Sequence, residues 1–310
     1  MLFHSERIFH YSGGEFFYNF QAHEGKNPSF NLTGDQLGYD GVAAPNFVQL
    51  SEYWYRQKWG NFSFKIGRID PISDLALTHA AALLLNNSYE TLPTIAGFPT
   101  YPSPAPGAVI KYSFPNDWSL KLGIFGGYEA LVSLKTIYPF GYWNHLVSNL
   151  MVMVEVDGRL FQDKGRVAFG VTHNQAEYSA YGGPSKSVGF SGYLISEYAI
   201  KDHCHTFLQL AMGDPSVVNF PYYIGAGIEI GQLLPIDLEN TLVLGVASGF
   251  YSQNLANQPL FKTAEASFEI AYRVVYKNIG IQPDLQYIIN PNRIGVPNAL
   301  GFILSIDVGI

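Results

Sequence analysis

The side chains that could do chemistry in this chain of 310 residues are few and widely spread. Nucleophilic catalysis needs a nucleophile, a base and a group that orients the base. No Gly-x-Ser-x-Gly occurs, and the histidines, His4, His10, His23, His79, His145, His173, His203 and His205, are scattered. His203-Cys204-His205 has the residue types of a metal site. Neighbours on a strand point to opposite faces, however, so the three cannot converge on one ion. Cys204 is the sole cysteine, which excludes an intrachain disulfide framework. The expectation is therefore no enzyme, no metal and no cofactor. What recurs instead is a charged residue on the polar face of most strands: Lys65, Lys111, Lys121, Glu155, Arg166, Glu229, Glu265, Glu269, Arg273, Asp284 and Asp307. Both signs are present. Such a set suits the wall of a water-filled lumen, where hydrated solutes exchange water for side-chain partners.

The elements that must position these charges are strands. Charged residues make up only 14% of the chain and aromatics 15%, against about 25% charged in ordinary soluble domains. Net charge is −7 and no basic stripe exists, so a nucleic-acid partner is not expected. No apolar run is long enough for a membrane helix, and the most apolar, Leu75–Leu85, is too short. The other way to cross a bilayer is a β-barrel, in which every backbone group pairs with a neighbouring strand.

The stretch Thr94–Gly126 shows the pattern. A Pro-rich loop leads into a strand, the turn Pro115-Asn116-Asp117, and a second strand. Ala108, Ile110, Tyr112 and Phe114 share one face, with Val109, Lys111 and Ser113 opposite. Trp118, Leu120, Leu122 and Ile124 oppose Ser119, Lys121, Gly123 and Phe125. This is the period-2 alternation of a half-buried strand. Each strand is about 9 residues, enough to cross a bilayer when tilted. About fourteen such strands run from Glu15 to Ile310, joined alternately by short turns and longer loops, as in an outer-membrane barrel. The strand containing Pro283 is expected to carry a bulge, because proline removes a ladder donor. The segment from Pro71 to Pro106 is a long connection that can fold inward and narrow the bore. A short helix is expected over Asp74–Asn87, capped by Ser73 or Asp74.

The chain resembles the OprB family of carbohydrate-selective porins. The matching residues are Glu52-Tyr53-Trp54-Tyr55 with Gly67-Arg68-Ile69-Asp70, Asn87-Ser88, and Phe98-Pro99-Thr100-Tyr101-Pro102 through Ala105-Pro106-Gly107. Tyr128 after Gly-Ile-Phe-Gly-Gly and Gln282-Pro283-Asp284-Leu285-Gln286-Tyr287-Ile288-Ile289 continue the resemblance in the same order. It implies an all-β, antiparallel, up-and-down transmembrane barrel of roughly sixteen strands. It also implies passive diffusion of carbohydrates and similar small polar solutes across a Gram-negative-type outer membrane, with outer-membrane lipid as the surroundings. Whether the barrel is a monomer or a homotrimer is left open. A general small-solute channel and a soluble β-rich carbohydrate-binding protein are the alternative readings.

The whole of residues 1–310 reads as one barrel domain. Its start carries no signal peptide and fewer strands than the resemblance implies, so a missing N-terminal part is expected, and the chain ends in Ile310 rather than an aromatic residue. The candidates for lining the pore are Lys65, Arg68, Asp70, Lys111, Lys121, Glu155, Arg166, Glu229, Glu269 and Arg273. Lys65, Arg68, Asp70, Lys111 and Lys121 flank the long connection and are the candidates nearest a constriction.

Overall fold

The computed structural model describes residues 2–4, 12–126, 150–175, 189–253, 262–292 and 295–309. His10, Tyr128, His145 and Ile310 lie outside them. The strands are β1 (Leu2–His4), β2 (Gly14–His23), β3 (Phe47–Trp59), β4 (Phe62–Ile69), β5 (Ala105–Ser113), β6 (Trp118–Gly126), β7 (Leu150–Leu160) and β8 (Gly165–Asn174). They continue with β9 (Gly189–Lys201), β10 (Cys204–Gly213), β11 (Tyr222–Gly231), β12 (Glu239–Phe250), β13 (Ala264–Tyr276), β14 (Ile279–Ile289) and β15 (Ala299–Val308).

All fifteen join in one sheet in sequence order, each antiparallel to the next. Fourteen of them match the strands expected from alternation, and the short β1 is added. Because the count is odd, β1 and β15 run in the same direction. The turns Gly60-Asn61, Asp202-His203 and Lys277-Asn278 lie on one rim. The connections 24–46, 70–104 and 214–221 lie on the other.

The expected alternation holds, with its polarity inverted relative to a soluble sandwich. Outward residues are apolar and exposed: Leu300 is 69%, Phe302 64% and Ile306 63% exposed. Inward residues include polar ones that solvent does not reach, such as Glu155, Gln209 and Gln286. An apolar exterior over a polar interior is the pattern of a wall that faces lipid. No described helix is long and apolar enough to cross a membrane.

Two local expectations are corrected. Pro283 makes no bulge: β13 and β14 pair Ala271 with Asp284 and Val274 with Ile281, so the register is the same on both sides of the proline. The ladder skips the positions opposite it, and Pro283 itself pairs with Leu304 of β15. The helix expected over Asp74–Asn87 is also absent. The segment forms 3-10 turns at Pro71–Ser73 and His79–Ala81, then one helical turn, α1 (Asn87–Glu90). The caps are Asp70 and Asn86, whose side chains accept from Ile72 N and Ser88 N.

The segment 70–104 shows that the sheet wraps around. It hydrogen-bonds to side chains of β4, β6, β7, β8, β9, β10, β13 and β14, which a flat sheet could not all bring to one loop. Its apolar residues Leu75, Ala76, Ala80, Leu84, Tyr89 and Leu92 pack on inward Phe125, Met151, Met153, Ile195, Phe207 and Val243. The hydrophobic core therefore lies inside the curved sheet, between loop and wall.

Candidate functional site

A loop inside a wall of strands carries its own backbone N–H and C=O groups away from bulk water, and each needs a partner. The inward side chains supply them. Carboxylates accept from loop amides: Glu155 from Ala76 N at 2.7 Å, Glu197 from Ala80 N at 2.8 Å, and Glu269 from Leu85 N and Asn86 N. Cations and amides donate to loop carbonyls: Lys121 to Asp74 O at 2.8 Å, Arg166 to Leu77 O at 2.6 Å, Gln282 to Leu83 O at 2.7 Å and Gln209 to Tyr89 O at 2.7 Å. The sign of each wall charge matches the backbone group it meets.

The second long connection, 24–46, is held the same way. Glu265 accepts from Gln36 N, Leu37 N and Asn292 N, and from the Tyr251 hydroxyl. Gln286 donates to Tyr39 O at 2.8 Å. The two connections are also joined directly, by Gly41 N to Leu85 O at 2.6 Å and Asn87 N to Gly38 O at 2.7 Å.

Beneath the loop the charges form a continuous row. Glu155 pairs with Lys121 at 2.7 Å, Lys121 with Asp157 at 2.9 Å, Asp157 with Arg166 at 2.9 Å and Arg166 with Glu197 at 2.7 Å. His79 of the loop closes on Glu197 at 3.1 Å. A second row runs from Lys58 and Arg56 of β3 through Glu15 of β2 and Asp74 of the loop to Lys65 of β4. Trp54 braces it, with Phe17 stacked at 5.0 Å and Lys65 Nζ 4.3 Å from its ring centroid.

The sequence candidates thus separate. Lys65, Lys121, Glu155 and Glu269 are buried and spent on the loop. Arg166 does the same work, half-buried. Arg68 is buried where β4 meets the loop rim and donates to Pro104 O, Leu50 O and Gln49. Its predecessor Gly67 has φ +148°, and an added Cβ would stand 2.2 Å from Tyr53 O, so only glycine allows β3 and β4 to approach there. Asp70 accepts from Ile72 N, the Thr100 hydroxyl and Tyr101 N, and so fixes both ends of the loop. Lys111 faces inward and is exposed, opposite Lys121 in register. Glu229 pairs with His205 at 3.2 Å and Arg273 with Asp307 at 2.5 Å, near the short-turn rim. No described group of His, Cys, Asp or Glu converges as a metal site.

Sequence reasoning missed Glu15, Arg56, Asp74, Glu197, Gln209, Gln282 and Gln286. Strand parity placed several of them on the polar face. Glu15, Arg56 and Asp74, though, pair with other side chains, and the glutamines meet loop backbone groups up to 247 residues away, as for Gln286 and Tyr39.

Two loop carboxyls carry opposite shifts. Burial opposes ionisation of Asp74, yet the Lys65 ammonium beside it, with Arg56, holds its carboxyl below the usual range. Burial pushes Asp70 up to about 7, against the Thr100 and Ile72 hydrogen bonds and with help from the charges of Glu52 and Glu90.

A family model described as "Carbohydrate-selective porin, OprB family" matches residues 6–302. No curated protein matches the chain. Among solved structures, OprB of Pseudomonas putida superposes with a TM-score of 0.83 at 17% identity, over 99% of this chain and 85% of that one. The outer membrane channel DcaP of Acinetobacter baumannii matches with a TM-score of 0.51 at 11% identity, over 95% and 79%. A mutant of the Rh. blastica porin matches with a TM-score of 0.54 at 10% identity, over 96% and 84%. At these identities the structural matches speak for the fold.

Proposed function

Because the chain belongs to the OprB family of carbohydrate-selective porins, a family of outer-membrane channels rather than enzymes, we propose that its solute path follows the β2–β6 wall. Carbohydrates and similar small polar solutes pass by diffusion. The observation that carries the path is the division of labour among the wall charges. Glu155, Arg166, Glu197 and Glu269 of β7, β8, β9 and β13 are committed to the infolded loop, whereas Lys58 and Lys111 of β3 and β5 are exposed, with the Glu15–Arg56 pair beside them; the Lys58 side chain is 52% exposed.

The charges on this wall are largely paired, Arg56 with Glu15 and Asp74, and Lys58 with Glu15. Paired charges offer hydrogen-bond donors and acceptors to the hydroxyls of a neutral sugar while presenting little net attraction to either sign of ion. Selectivity for neutral polar solutes follows from that balance. Arg56→Gln tests it. Asp74 keeps Lys65 as partner in the variant, so the loop stays in place. Reversal potentials in planar bilayers are expected to shift toward cations, and liposome swelling in glucose to slow. A variant that matches the parent in both would remove this wall from the path.

A further inference from the structure

We propose that the long-loop rim holds a binding subsite for one pyranose ring of an incoming neutral sugar, set between the two infolded connections. This rests on the carbohydrate reading above and names where a sugar is first bound. The space is a cavity of about 330 Å³ whose lining includes Asp35, Gln36, Asp40, Asn87, Tyr101 and Pro102. That is the low end of the ~300–1,000 Å³ spanned by small-molecule sites, room for one ring rather than a chain.

The walls of this cavity are held in place. Asp35 accepts from the Thr33 hydroxyl, Gly38 N and Tyr39 N. Gln36 is tied to Asn292 and Asn219. The Tyr101 hydroxyl donates to Val42 O at 2.9 Å, and its ring packs edge-on against Phe47. The two cross-loop bonds, Gly41 to Leu85 and Asn87 to Gly38, fix the separation of the sides.

Two groups in the lining are left over. Asp40 takes one hydrogen bond, from Val42 N to Oδ1 at 3.1 Å, and its Oδ2 meets no donor among the described residues. Asn87 engages its neighbours through its backbone, and its side-chain amide has no partner among the described residues. Burial raises the Asp40 carboxyl above its usual range, against the Val42 hydrogen bond. A carboxylate oxygen and an amide together match two adjacent sugar hydroxyls, one donating and one accepting. The Tyr101 and Pro102 rings supply an apolar surface for the sugar C–H face.

The experiment is sugar block of the KCl current through the full chain in planar bilayers, with glucose added on the long-loop side. Parallel liposome swelling in glucose shows whether the parent passes sugar at all, which tests the underlying reading separately. The half-blocking glucose concentration is expected to rise about tenfold in Asp40→Ala, the loss of one hydrogen bond to a charged group. Asn87→Ala is expected to raise it less and keeps the backbone bond to Gly38, so it decides the matter if Asp40→Ala does not assemble. If the parent passes glucose and both assembled variants block at the parent concentration, the subsite is wrong. If calcium chloride at millimolar levels, but not glucose, protects the parent and not Asp40→Ala from thermal unfolding, the cavity is a cation site and the proposal is overturned.

Discussion

Lys121 of β6 and Glu155 of β7 stand opposite each other in register, with Nζ 2.7 Å from Oε1, and both are buried. The pair also takes loop backbone on both sides, Ala76 N on the carboxylate and Asp74 O on the ammonium. Removing one partner of a buried pair leaves the other uncompensated, at roughly 3–5 kcal/mol. Lys121→Ala should therefore lower the thermal unfolding midpoint in detergent and raise channel conductance as the loop loosens. Lys111→Ala removes an exposed lysine one strand away, and a change within about 0.5 kcal/mol is expected. Alternation alone treats these two lysines as equivalent; the unfolding midpoints of the two single variants separate them.

Phe268 and Glu269 are neighbours on β13 with opposite surroundings. Phe268 faces outward and is 49% exposed, and Phe268→Lys should cost roughly 2–4 kcal/mol if it lies at the bilayer midplane. Parity alone would make Glu269→Lys harmless. The structure makes it costly too, because Glu269 accepts the N–H groups of Leu85 and Asn86. Each stranded buried donor costs about 1–3 kcal/mol. Conductance distinguishes the two causes: Glu269→Lys should raise it in the assembled fraction, and Phe268→Lys should not.

Deleting Leu75–Asn87 removes the apolar residues that cover Phe125, Met151 and Met153. Single-channel conductance should rise. It should rise further than in Lys121→Ala, which leaves the loop in the lumen. Equal conductance in deletion and parent would place the segment outside the conducting path.

Asp70 gives a pH signature. Its carboxyl titrates near 3.8 in the unfolded chain and at about 7 in the folded one. Between those values the folded chain holds the extra proton, so stability falls as pH rises from about 4 toward 7. Asp70→Asn cannot ionise and keeps an acceptor for Thr100 and Tyr101. The variant should show a flatter dependence of the unfolding midpoint on pH across that window. An unchanged slope would assign the dependence to other groups.

The sequence by itself determined the strands, their faces and their order. Alternation has a period of 2 over segments such as Ala264–Tyr276, so each residue's face follows from its neighbours, and strands joined by a short turn such as Lys277-Asn278 pair because the turn allows nothing else. It also showed that the segment after Asp70 was too long to be a plain turn. It could not assign what the wall charges do. Lys111 and Lys121 sit on the same face of adjacent strands, yet one reaches solvent and the other grips Asp74 O and Glu155. No proline interrupts residues 72–92, yet no long helix forms there; the loop's shape is set by where wall donors and acceptors meet its backbone. Those partners come from strands as distant in sequence as β14. Only the curling of the sheet around the loop brings them together, so tertiary structure alone decided which inward charges hold the loop and which are left exposed.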